Sequence, residues 1–150
     1  MTRIAFASDH GGYEAKRVCI EELTKEGYSV IDEGTNSLDS CDYPVFGSRA
    51  ARDVAEGRAD LAVLICSSGE GMCMVANKVP GIRAALLYND QVAALAREHN
   101  DANVICFGAK FMSTEEILNR IRIFLGSQFE GGRHQRRVDE ISSVEGGEKL

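Results

Sequence analysis

No stretch of this chain stays apolar long enough to cross a membrane, and no charged leader precedes the strand-like run Ile4-Ala5-Phe6-Ala7. That argues against a membrane or secreted protein, and the expected location is the cytoplasm. Positive charge is scarce: 17 Lys and Arg stand against 23 Asp and Glu, for a formal charge of −6 and a sequence pI of about 5.1. Such a balance gives no overall attraction for nucleic acid or an anionic membrane surface, so a phosphorylated partner has to be held by a local cluster. Paired cysteines are also missing. Cys19, Cys41, Cys66, Cys73 and Cys106 are odd in number and lack paired zinc-ligand spacing, which fits reduced thiols, most of them small core residues, better than a disulfide frame or a metal site.

Several chemical signatures are absent too. Gly69-Glu70-Gly71 is not followed by a correctly spaced Gly-Lys-Ser or Gly-Lys-Thr, so there is no Walker phosphate loop. A cysteine-dependent phosphatase needs Cys-x5-Arg, and Met72 occupies the Arg position. Asp9-His10-Gly11-Gly12 is not the Gly-x-Gly-x-x-Gly of a dinucleotide site. Cys66 has no Cys-x-x-Cys partner, so dithiol redox chemistry has no local signature.

What remains is an alternating chain, with no internal repeat or low-complexity tract. Hydrophobic residues make up 44% of the 150, enough for one compact core. Strand-like runs at Arg3 to Ala7, Ser29 to Asp32, Leu61 to Cys66, Arg83 to Leu87 and Asn103 to Phe107 alternate with helical ones. The helical runs are Tyr13 to Glu26, Tyr43 to Glu56, Ser68 to Lys78, Asp90 to Glu98 and Thr114 to Leu125. Five β-α units imply a five-stranded parallel sheet covered on both faces, with strand order 2-1-3-4-5. Gly27, Gly34, Gly57 and Gly126 fall near element ends, where positive φ is expected. The whole of 1–150 reads as a single domain, with a C-terminal helical extension from about residue 130 whose helix spans Val138 to Ser143.

In a doubly wound sheet, ligands bind beyond the carboxyl ends of the strands where the order reverses, here between strands one and three. Strand one ends at Ser8-Asp9-His10-Gly11-Gly12 and strand three at Cys66-Ser67-Ser68, so topology brings two polar clusters together. Free N–H groups where strand three turns into the next helix suit an anion, and they also favour a thiolate, which makes Cys66 a candidate base or nucleophile. The plainer account is that Asp9 caps a helix and Cys66 fills the core. His99 reads either as a functional imidazole or as a cation at a helix C-terminus, with Asn100 as left-handed cap. Arg133, His134, Arg136 and Arg137 make a basic island suited to phosphate, or a solvated helix start.

Ser8-Asp9-His10-Gly11-Gly12, Asp42-Tyr43-Pro44, the Cys66 loop, Ala76-Asn77-Lys78, Gly81-Ile82-Arg83, Arg97-Glu98-His99-Asn100 and the run Glu130 to Arg137 together resemble the type B ribose-5-phosphate isomerase family. That family also includes allose-6-phosphate and galactose-6-phosphate isomerases. The resemblance implies a three-layer α/β/α Rossmann-like sandwich and aldose–ketose isomerisation through an enediolate, with no metal and no organic cofactor. It also implies a homodimer, with a dimer of dimers as the larger alternative, whose sites draw on both subunits. Cys66 is then the base at carbon, Ser68 relays a proton between oxygens, and His99 with Asp9 opens the sugar ring. The N–H groups of Ser67, Ser68, Gly69, Glu70 and Gly71 hold the oxyanion. Tyr43 and Asn100 orient hydroxyls, while His10, Lys110, Arg133 and Arg137 grip the phosphate.

Three residues depart from the family pattern: Ser67 where Gly is usual, Glu70 where a small or apolar residue is usual, and Lys110 where Arg is common. One branch of the family uses Glu in place of the cysteine, at the position of Met72, which cannot accept a proton. Ribose 5-phosphate is the expected substrate. A six-carbon aldose phosphate is the first alternative, and a non-catalytic flavodoxin-like nucleotide or flavin module is the second.

Overall fold

The computed structural model describes all residues 1–150. Five strands, β1 (Arg3–Ser8), β2 (Ser29–Asp32), β3 (Leu61–Cys66), β4 (Ala84–Leu86) and β5 (Val104–Gly108), form one parallel sheet. Helices α1 (Tyr13–Lys25), α2 (Tyr43–Ala55), α3 (Glu70–Ala76), α4 (Asp90–Glu98) and α5 (Thr114–Leu125) alternate with them, and α6 (Arg133–Glu145) follows.

The spatial order is β2-β1-β3-β5-β4, which corrects the expected 2-1-3-4-5 in its last two strands. Burial explains the exchange. All five residues of β5 are buried, whereas the three of β4 are only half-buried, so the longer apolar strand takes the inner position against β3 and Ala84-Ala85-Leu86 is left at the edge. The reversal between β1 and β3, which places the site, is as expected.

Side-chain alternation along the strands divides the core in two. Ile4, Phe6, Val63, Ile65, Ile105 and Phe107 face α1, α4 and α5, where Leu23, Ile117, Ile121 and Phe124 complete a large-residue core. Ala5, Ala7, Ala62, Leu64, Cys66 and Cys106 face α2 and α3. Small residues on that second face let the helices approach closely: a Cβ added at Gly47 of α2 would lie 2.6 Å from Met72 Sδ of α3. Cys66 is therefore delivered by the face on which backbones are tightly set.

Two other expectations change. Helix α6 begins at Arg133, five residues before the expected Val138, because His134 and Val138, one turn apart, both turn inward and start its buried stripe in the first turn. Gly126 ends α5 at φ −84°, and the left-handed residue after α4 is Asp101 (φ 44°) and not Asn100. Arg97 Nη1 donates to Asp101 Oδ1 at 2.7 Å and holds that turn.

Candidate active site

Beyond the carboxyl ends of β1 and β3 lies an open cleft of about 430 Å³, lined by Asp9, Tyr43, Cys66, Ser67, Ser68 and Glu70, with Gly71 and Met74 on one wall. Asp9 is 7% exposed, and its Oδ1 accepts from the N–H groups of Gly11 (2.9 Å) and Gly12 (3.2 Å), so the capping account of Asp9 holds as well. Cys66 is 5% exposed, and its Sγ accepts from the Gly69 N–H at 3.2 Å. That donor is in place to hold negative charge that builds on sulfur.

The loop is fixed from behind. After β5, the Ala109 N–H donates to the Cys66 carbonyl (2.9 Å) and the Lys110 N–H to the Ser67 carbonyl (3.0 Å). Gly69 has φ 84°, and a Cβ there would fall 2.6 Å from Leu86 and 2.7 Å from the Phe107 backbone. No other residue fits that turn without strain. Ser68 Oγ accepts from the Glu70 N–H at 3.2 Å. Helix α3 itself starts only at Glu70 and has seven residues, so the anion donors here are local amides of the loop more than a long helix dipole.

Ser67 is accommodated by a glycine across the cleft. A Cβ on Gly11 would sit 2.6 Å from Ser67 Oγ, so the hydroxyl occupies the space that Gly11 leaves open. The ring of Tyr43, at the start of α2, lies on Gly71, where a Cβ would meet it at 2.5 Å. Glu70 is exposed and lines the cleft, so two carboxylates and no lysine or arginine face its interior. His10 Nδ1 accepts from the Cys41 N–H at 3.3 Å, outside the lining.

The other candidates lie elsewhere. His99 caps the C-terminus of α4, the helix that carries the chain back to the amino end of β5. Cys66 stands at the carboxyl end of β3, level with Gly108. At about 3.3 Å per residue, the five residues of β5 separate these two edges by roughly 16 Å. Asn100 lines a different cavity, of about 300 Å³, with Arg83 and Ile141. Arg133 and Arg137 project from α6 one turn apart, without an ion-pair partner in their own chain, unlike Arg136, which reaches Glu140 at 3.7 Å. One chain thus assembles Asp9, Tyr43 and Cys66 to Gly71, and holds His99, Asn100, Arg133 and Arg137 apart from them.

The basic island is not uniform: His134 turns inward and stacks on His99, ring centroids 4.1 Å apart. Burial first, then the neighbouring His99 and Arg133, hold His134 below the usual histidine range. Glu130 faces both rings. These two residues were not singled out in the sequence as partners of His99; the i,i+4 spacing of Glu130 and His134 was the available signal. Among the other thiols, burial pushes Cys19 up to about 12 against the pull of Arg122, and pushes Cys106 well above its ordinary value. Both are core residues. Cys73 is held lower, through a hydrogen bond with Cys106.

A doubly wound sheet with a thiol, a buried carboxylate and loop amides at its switch point defines the chain as an α/β enzyme of the kind that works at strand ends. The model of the Ribose/Galactose Isomerase family matches residues 4–141, and the chain belongs to that family. It is 42% identical over 145 residues to ribose-5-phosphate isomerase B of Escherichia coli, covering 97% of each chain. The solved ribose-5-phosphate isomerase B of Clostridium thermocellum superposes with a TM-score of 0.96 at 43% identity, over 97% of this chain and 99% of that one. The Mycoplasma genitalium enzyme, solved with ribulose 5-phosphate bound, gives a TM-score of 0.94 at 42% identity over 98% of both. No helix of the chain is long and apolar enough to cross a membrane.

Proposed function

We propose that the chain interconverts D-ribose 5-phosphate and D-ribulose 5-phosphate through an enediolate, with Cys66 as the base. The observation that carries this reading is the Gly69 N–H donating to Cys66 Sγ at the edge of a cleft that also holds Asp9. Carbon acidity is the obstacle in aldose–ketose isomerisation. The thiolate of Cys66 takes the C2 proton of the aldose, and the electron pair moves onto the C1 oxygen. Loop amides from Ser67 to Gly71 stabilise that oxyanion with dipoles already in place. Ser68 passes a proton between O1 and O2, and Cys66 returns its proton to C1, which leaves the ketose. No electron leaves the substrate.

The phosphate needs cations, and the cleft offers none of its own. Arg133 and Arg137, free of partners, supply guanidinium groups for a dianion, and His10 and Lys110 add further donors. His99, assisted by Asp9, moves the proton that opens the furanose ring, and Asn100 and Tyr43 orient hydroxyls. Because α4 and α6 hold their residues away from the Cys66 edge, a second copy of the chain completes each site, and the working unit is a homodimer. Five free thiols fit a reducing compartment, and the cytoplasm is the proposed location.

The test measures kcat/KM for ribose 5-phosphate, allose 6-phosphate and galactose 6-phosphate, together with entry of solvent deuterium at C2. A ratio that favours the pentose, with exchange at C2, is expected. A higher value for a hexose phosphate would move the assignment within the family, and turnover retained in Cys66→Ala would remove Cys66 as the base.

A further inference from the structure

His99 ends α4, and the Glu130 backbone is fastened beside it by an N–H bond to the Glu98 carbonyl at 3.0 Å. Four residues later His134, buried on the inner side of α6, lays its ring against His99 with the planes within 10° of parallel. The Nε2 atoms of both rings address one carboxylate oxygen: Glu130 Oε1 is 3.7 Å from His99 and 3.4 Å from His134. Both separations exceed the roughly 2.7–3.2 Å of an N–H···O bond. Three donor atoms therefore converge without satisfying one another.

We propose that His99, Glu130 and His134 form a binding site for a divalent transition-metal ion of the zinc type, and that an ion held there takes the His99 imidazole out of the reaction. The second clause rests on the ring-opening role given to His99 above. Ligands about 2.0–2.1 Å from a tetrahedral zinc lie about 3.3–3.4 Å from one another. The His134 contact already has that spacing, the His99 contact is a few tenths of an ångström wider, and all three ligand atoms lie within 4.8 Å. Because the rings lie parallel, their in-plane lone pairs do not meet in the stack, and binding requires the partly exposed His99 ring to swing out of it toward the buried His134. Two imidazoles and one carboxylate select zinc, cobalt or nickel over magnesium or calcium. Glu130 is half exposed, which leaves a path in and a fourth position for water. Arg133 and Arg137 on the same helix oppose a cation, so the site binds more weakly than a structural zinc centre. An ion on His99 Nε2 occupies the lone pair that would carry the ring-opening proton, so the site acts as an inhibitory one.

The experiment titrates the full-length protein with Co²⁺ and reads its visible spectrum, then repeats the titration with Glu130→Gln and His134→Ala. Expected are visible d–d bands without a sulfur-to-cobalt charge-transfer band, and affinity lowered by more than about ten-fold in both variants. Glu130→Gln changes an exposed side chain to its isostere and guards against misfolding of the buried His134 variant. Zn²⁺ should inhibit the unaltered protein, reversibly by chelator, and each variant much less when referred to its own metal-free rate. Cobalt bound through sulfur, abolished by Cys66→Ser and untouched in both variants, overturns the site, as does an unchanged spectrum at millimolar ion. Histidine-bound cobalt with full turnover keeps the site but overturns inhibition through His99. Absence of isomerase activity defeats the functional reading alone, because the cobalt spectrum is read without substrate.

Discussion

Cys66 and Arg137 belong to one proposed reaction, yet the fold holds them by opposite means. The Cys66 loop sits on the small-residue face of the sheet, braced by two backbone bonds from the segment after β5 and turned by a glycine that touches Leu86 and Phe107. Arg137 stands on a helix that trails the sheet, with no acidic partner and a side chain free to reach. The difference follows from the chemistry. Stabilising an oxyanion requires dipoles that do not reorganise, whereas gripping a phosphate requires reach and undiminished charge. The first demand is met inside one chain; the second is met by charges that point outward, which in the proposed dimer serve a site on another.

The most direct way to break this comparison is Cys66→Ala. Alanine suits a face already rich in alanine, so the fold should persist while kcat falls by about 10²–10⁴-fold, the usual contribution of a general base. Steady-state kinetics alongside circular dichroism measures both. A variant that retains a tenth of the rate would mean that the rigid end does not supply the base.

Gly69→Ala tests rigidity itself. A Cβ at φ 84° also strikes the Phe107 backbone at 2.7 Å, and the two penalties together should cost roughly 2–5 kcal/mol of stability. Urea unfolding gives the number. Loss of activity without loss of stability would show that the loop yields, contrary to the braced picture.

The outward half is sharpened by Arg137→Ala, expected to lower kcat/KM by roughly 10- to 100-fold through the loss of charge-assisted bonds to phosphate. Mixing it with Cys66→Ala after unfolding and refolding together discriminates further. If each site draws on two chains, half the dimers are mixed and each carries one intact site, so about a quarter of the unaltered activity returns. No recovery means that one chain holds the whole site.

Much of this was legible from residue order. The β-α alternation placed Asp9 and Cys66 at one switch point, because their strand ends follow directly from hydrophobic runs. Strand order beyond β3 was not, since nothing in Ala84-Ala85-Leu86 announces an edge until its burial is weighed against that of Val104 to Gly108. Nor was the separation of His99 from Cys66 readable: a motif records what a completed site contains, and only the path of α4 back to the amino end of β5 reveals that one chain keeps the two apart. Ser67 stood only as a departure from the family's glycine, because the space that takes its hydroxyl, at Gly11, lies more than fifty residues away in sequence.

The smallest expected effect concerns the wall beside Asp9. Glu33 donates its backbone N–H to the Phe6 carbonyl at 2.9 Å, and the next residue, Gly34, accepts from Ser8. Its carboxyl is pushed up to about 7, chiefly by a hydrogen bond with Asp53, then by burial, against the pull of Arg49 and Arg58. Asp53 Oδ2 is buried and takes no other donor, while Oδ1 receives Arg58 Nε at 2.8 Å, so a proton on Glu33 fills the vacant acceptor. A carboxyl raised in the fold from 4.5 to about 7 adds stability that is complete below the lower value and lost as pH climbs through the higher. Glu33→Gln keeps a neutral donor at every pH. It should match the unaltered chain near pH 4 and exceed it by about 1–2 kcal/mol near pH 8, after allowance for solvent screening. Urea unfolding at the two pH values measures the difference, and a difference that does not change with pH would place the shared proton elsewhere and leave the rigid end indifferent to acid.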